Sequence, residues 1–165
     1  MNKSYDPVEW CFINKVLVCM GLSPWNIEII FRCISSSWLV VTFMGKTYGF
    51  FKATHGLRQG DLISLSIFIL SQDVLCRLIN RGLTNGDILP YRQRMRAPSV
   101  SHLIFANDTI IFKNDMTRSL RGLNRILEVY GHWSGQNINK NKGIFYISSY
   151  CPSNRVYSVS HILDM

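Results

Sequence analysis

The stretch SHLIFANDTIIF, residues 101–112, sets one polar pair, Asn107 and Asp108, between two short apolar runs. Such runs around a polar pair read as a β-hairpin with an acid at its tip. A carboxylate held there can ligate a hard cation such as magnesium, which takes oxygen donors. The same pair also serves as an ordinary turn. Two further stretches could do chemistry. THGLRQG, residues 54–60, is loop text with two glycines, and its Arg58 and Gln59 can reach polar groups while Gly60 permits close backbone approach. SGQNINKNKG, residues 134–143, carries Lys142. That lysine can reach a phosphate, and it reads equally well as a solvated loop residue.

The elements that must hold these groups follow from periodicity and caps. Residues 7–20 have apolar positions near helical spacing, with Pro7 suited to the first turn and Gly21 to the stop. Ser23 caps a second helix that has Pro24 at its first position. Residues 38–44 and 47–52 read as strands joined by Gly45-Lys46. Asp61 caps a helix over about residues 62–80. Residues 82–96 are polar and irregular and hold Arg92, Arg94 and Arg96, which could track a phosphate backbone or simply be solvated. The hairpin of residues 101–112 comes next. A helix over about residues 117–133 turns Leu120, Leu123, Ile126, Leu127 and Tyr130 to one face. Its Arg118, Arg121 and Arg125 fall on another, as a basic stripe. IFYIS, residues 144–148, is a last short strand, and residues 150–165 are a tail without strong period, expected to fray or be disordered.

Composition narrows the class. The chain has 165 residues, 47% hydrophobic and 17% charged, enough for one domain with a real core. Eighteen Lys and Arg against ten Asp and Glu give a net charge of +8, which favours a polyanionic partner, most simply nucleic acid. Cys11, Cys19, Cys33, Cys76 and Cys151 form no CxxC pair, so neither a disulfide framework nor a zinc site is indicated. Three of them lie in apolar helical text as small core residues, and a reducing intracellular compartment is expected. Asp6 and Glu9 interrupt any signal-peptide core, and the longest apolar run, residues 62–70, is too short to span a bilayer. Nothing in the text fixes an oligomeric state. The fold class is α/β (α+β), a mainly antiparallel sheet with helices on one face.

SYDPVEW, GFFKATHGLRQGDLISLSIFIL, SHLIFANDTIIF and SGQNINKNKG occur in this order with fitting gaps. Together they resemble the palm of a reverse transcriptase of the LINE, or non-LTR retrotransposon, type, abundant in plants. The resemblance spans residues 1–149 and implies an incomplete palm-like antiparallel sheet. It also implies an RNA or DNA template-primer and dNTP as partners, no membrane, and Mg2+ as cofactor. Nucleotide addition uses two such ions to hold the attacking and leaving oxygens.

By that resemblance Asp108 is catalytic and metal-binding, and Asn107 stands at the place of its partner acid in the pattern Phe/Tyr-Ala-Asp-Asp. Aligning Tyr5-Asp6 and Trp10 with the first-strand motif puts that motif's metal-binding Asp just before Met1, so Asp6 is its second, non-metal Asp. Of three metal-binding acids, Asp108 alone is present in this sequence, and Mg2+ is expected to bind weakly or not at all. Tyr5 matches the aromatic of the sugar gate, although a core tyrosine at a strand end would read the same. Arg58, Gln59 and Gly60 match the loop beneath the incoming nucleotide and template. Where the family has prolines after Asp61 and after the following Ser, Leu62 and Leu65 stand. Lys142 matches a candidate proton donor to pyrophosphate.

Three readings follow: a degenerate RNA-directed DNA polymerase without activity, a non-catalytic basic nucleic-acid-binding module, and a polymerase subunit completed by another chain.

Overall fold

The computed structural model describes residues 7–36, 38–91, 100–105, 108–148 and 150–164. Helix α1 (Trp10–Cys19) is followed by α2 (Pro24–Ser35), β1 (Trp38–Phe43), β2 (Lys46–Lys52), α3 (Leu62–Thr84), β3 (His102–Phe105), β4 (Asp108–Ile111), α4 (Thr117–Ser134), a 3-10 turn (Lys140–Lys142) and α5 (Ser153–Leu163). The strands make two small antiparallel sheets, β1 with β2 and β3 with β4. The fold is thus mixed helix and strand. The chain divides into two compact units, residues 3–71 with 133–135, and residues 72–132 with 136–165 and the first two.

In the first unit the local signals act as read. The Asn26 amide donates to Ser23 Oγ at 3.3 Å, and Pro24, which needs no amide partner there, opens α2. Asp61 Oδ1 accepts from the Ile63 amide at 3.2 Å and starts α3. Ile13 and Leu17 lie one turn apart on α1, and Ile27 and Ile34 lie on one face of α2. They bury with Val8, Leu57, Ile67 and Phe68. Each such side chain contributes about 1.5–3 kcal/mol. No residue of β1 or β2 is buried. Their turn is Met44-Gly45 rather than Gly45-Lys46, with φ of 49° and 74°. Both central residues of a two-residue hairpin turn of this hand need positive φ, which glycine accepts and methionine resists.

In the second unit Leu120 of α4 packs with Val159 and Leu163 of α5, flanked by Phe145, Ile147 and Ile162. Asn124 Nδ2 donates to the Ile162 carbonyl, which ties α5 to α4. Leu75, Ile79, Ile88, Leu123 and Tyr130 are also buried. The segment read as an aperiodic tail therefore contains a helix, whose apolar stripe is short. The strand expected over 144–148 does not form. Phe145 and Ile147 are half-buried and Ile144 and Tyr146 exposed, so the alternation is that of a strand without its ladder.

Two more expectations change. Cys11, Cys19 and Cys33 are exposed, not core residues. Helix α3 runs four residues past the expected end and is long and apolar enough to cross a membrane. It buries Ile67, Phe68, Leu75 and Ile79 and carries Asp73, Arg77 and Arg81, the stripe of a core helix.

Candidate functional site

Three of the motifs singled out above meet in the first unit. The Gly56 amide donates to the Val8 carbonyl at 2.8 Å, and Trp10 Nε1 donates to the Gly56 carbonyl at 2.7 Å. The Glu9 amide donates to the Ser134 carbonyl at 2.9 Å. PVEW, THGLRQG and the SGQ corner are thereby stitched together by backbone groups and the Trp10 indole. Gly135 sits at the tightest point, with φ of 77°, where an added Cβ would strike the Pro7 carbonyl oxygen. Any other residue there strains its own backbone and forces the two segments apart.

This anchoring decides what the loop offers to solvent. Gly56 and Leu57 are buried, and Leu57 belongs to the core. Arg58, Gln59 and Gly60, the three residues read as substrate-binding, are all exposed. The loop is pinned at its base and presents a guanidinium, a side-chain amide and an open glycine just before the capped start of α3. Pinned donors of this kind suit polar groups on a base, sugar or phosphate.

The second unit holds the other two described candidates. Asp108 opens β4 and pairs with Phe105 across the hairpin. It shares an exposed face with Leu103, Phe105 and Ile110, while His102, Ile104, Thr109 and Ile111 are half-buried behind it. One face of this hairpin packs and the other is open. Burial lowers the His102 pKa, and Ser101 Oγ lies 2.8 Å from its Nδ1. Lys142 ends the 3-10 turn, exposed, and its amide donates to the Asn139 carbonyl at 3.1 Å. No hydrogen bond or ion pair joins Lys142 to Asp108 among the described residues. The turn is held by Lys140, which pairs with Asp164 at 3.3 Å, and the preceding bend by Tyr130, whose hydroxyl donates to Gln136 Oε1. Tyr5, Asp6, Asn107, Arg92, Arg94 and Arg96 lie outside the described residues. Arg118, Arg121 and Arg125 are exposed on α4, as a basic stripe requires.

The donor set for magnesium can be tested on these positions. Two hard cations need several carboxylates close together. Among the described residues no group of three or more His, Cys, Asp or Glu side chains could hold a metal ion. Asp108 therefore has no such group around it among the described residues.

The sequence signals missed two things. Trp10 and Gly56, which clamp the loop base, were read only as motif matches, though a Trp three residues after a Pro is a large donor in search of an acceptor. Lys113, just past β4, was not singled out at all. Its Nζ is buried without a hydrogen-bond partner among the described residues, and burial lowers its pKa to about 8.

Residues 1–154 match the family model described as reverse transcriptase (RNA-dependent DNA polymerase). An uncharacterized mitochondrial protein of Arabidopsis thaliana is 36% identical over 72 residues, which is 44% of this chain and 59% of that protein. The chain therefore spans about three fifths of the length of this plant relative. With the match running through every motif described above, the chain belongs to the reverse transcriptase family.

Proposed function

We propose that the chain is a degenerate palm of a LINE-type reverse transcriptase, silent as a polymerase. The carrying observation is Asn107 beside Asp108 in FAND. An amide offers a carbonyl oxygen but no charge. At an effective dielectric near 20, a unit charge ~4 Å from a divalent ion supplies about 8 kcal/mol of attraction before desolvation. A quarter of that as net loss, about 2 kcal/mol, already slows the reaction by more than about tenfold. In this reading Asp108 is the remaining metal ligand, Mg2+ is held weakly, and Tyr5, Arg58, Gln59, Gly60 and Lys142 are the remnants of the nucleotide and template-primer contacts. The partners are RNA or DNA and, residually, dNTP. The protein works inside the cell without a membrane, consistent with five free cysteines and with α3 as a core helix.

Primer extension on an annealed RNA template and DNA primer in magnesium tests this. The expected result is no incorporation above that of the Asp108→Asn variant. Robust incorporation by the chain, abolished by Asp108→Asn, would overturn the reading.

A second reading has its own support. The net charge of +8 and the exposed stripe of Arg118, Arg121 and Arg125 suit a non-catalytic nucleic-acid-binding module. Salt-dependent binding without incorporation, weakened by changing the three arginines to Ala, would favour it.

A further inference from the structure

Every residue of the β1–β2 hairpin is exposed, its apolar ones included, and it belongs to neither the Asp108 hairpin nor the loop above. The register sets Leu39 opposite Phe51, Val41 opposite Tyr48, and Phe43 opposite Lys46. Directly opposed residues share a face, as do alternate residues along β1. Leu39, Val41, Phe43, Tyr48 and Phe51 therefore lie together, and they are between 41% and 63% exposed. The irregularity between Leu39 and Val41, with one extra residue on β2, keeps Tyr48 and Phe51 on one side despite their odd spacing. Trp38 and Lys52 pair on the opposite face, with Lys52 Nζ 5.1 Å from the Trp38 ring.

Two features choose among occupants. The first is charge. Residues 38–52 contain two lysines and no carboxylate, in a chain of net charge +8. A second copy would bring like charge to like. An antiparallel pairing of two β2 strands centred on Gly49 would oppose lysine to lysine at both ends, which is destabilising. A polyanion meets no such penalty. The second is shape. Same-face positions on a strand recur about every 7 Å, and strand-borne aromatics at such spacing stack two or three bases of a single strand in known sheet-surface readers. Paired bases of a duplex do not offer those faces.

We propose that the face made by Leu39, Val41, Phe43, Tyr48 and Phe51 binds single-stranded nucleic acid by base stacking, with Lys46, opposite Phe43 on that same face, on the backbone. The site is separate from Asp108 and does not depend on whether the chain polymerises.

The test is fluorescence anisotropy of a labelled oligothymidylate and a labelled blunt duplex, with sedimentation of the free chain. The variants are Phe43→Ser with Phe51→Ser, and Lys46→Ala. All three positions are solvent-facing, and circular dichroism checks that helix content is kept. Loss of a stacked ring should weaken oligothymidylate binding roughly tenfold or more and leave the duplex nearly unchanged. Lys46→Ala should flatten the salt dependence of oligothymidylate binding. Unchanged oligothymidylate affinity in the aromatic variant would overturn the proposal. So would an equal loss on duplex, or a free-chain dimer that the aromatic variant converts to monomer.

Discussion

The two hairpins of this chain are both antiparallel and are written in similar apolar text. Their environments differ. In β3–β4 burial alternates, with His102, Ile104, Thr109 and Ile111 half-buried and Leu103, Phe105, Asp108 and Ile110 open. In β1–β2 every residue is exposed. Alternation with one packed face fixes register, because a one-residue slip would turn the packed set outward. The position of Asp108 is therefore set by its strand. A hairpin of this kind can lose its chemistry and keep its shape. The other hairpin has no packed face, so its apolar residues are not explained by the fold of its own unit.

The largest expected effect comes from placing the same charge in both. Ile104→Asp puts a carboxylate on the packed face and should cost about 2 kcal/mol or more. Val41→Asp should cost less than about 0.5 kcal/mol. Urea unfolding reads both, and equal costs would break the comparison. A smaller effect is local. Gly45→Val forces a β-branched residue to a φ of 74°. Hydrogen exchange in β1–β2 should quicken by roughly 5–30-fold, the equivalent of about 1–2 kcal/mol, with little change in the urea midpoint.

The smallest sharpens the β3–β4 side. Lys113 follows that hairpin, and its pKa falls from the ordinary 10.5 to about 8 through burial. The charged amine is thus disfavoured in the folded state. Between pH 8 and 10.5 the unfolded chain binds more protons, so stability rises with pH across that window. Below it the penalty is complete and constant. Lys113→Met should add about 1 kcal/mol at neutral pH, solvent screening around this half-buried residue reducing the full value, and should flatten the rise. Thermal unfolding across the window checks both.

What could be read from sequence was whatever a local rule specifies. Ser23-Pro24 and Asp61 start helices by capping, which needs no distant partner. The hairpin of residues 102–111 follows from alternation around a polar pair. What could not be read depends on contacts far along the chain. Residues 144–148 alternate like a strand, but alternation specifies which side faces the core, not whether a neighbour pairs. Helix α5 has a weak stripe and is apparent only once Leu120 is beside Val159 and Leu163. Cys11, Cys19 and Cys33 sit in apolar text yet point outward, since a helix with few neighbours leaves part of its apolar surface uncovered. The candidate site divides similarly. Arg58, Gln59, Gly60, Asp108 and Lys142 were visible by motif, and all five are exposed. The clamp of Val8, Trp10 and Gly56 beneath the loop, built from backbone groups and one indole 46 and more residues apart, was not.

The central claim is that one carboxylate at the β3–β4 tip cannot hold two divalent cations. Manganese, a spectroscopically visible stand-in for magnesium, tests it directly by electron paramagnetic resonance titration of the chain, Asn107→Asp and Asp108→Asn. The account predicts weak binding by the chain, weaker still in Asp108→Asn, and at least roughly tenfold tighter binding by Asn107→Asp. Two tightly held ions in the unaltered chain, lost in Asp108→Asn, would contradict it.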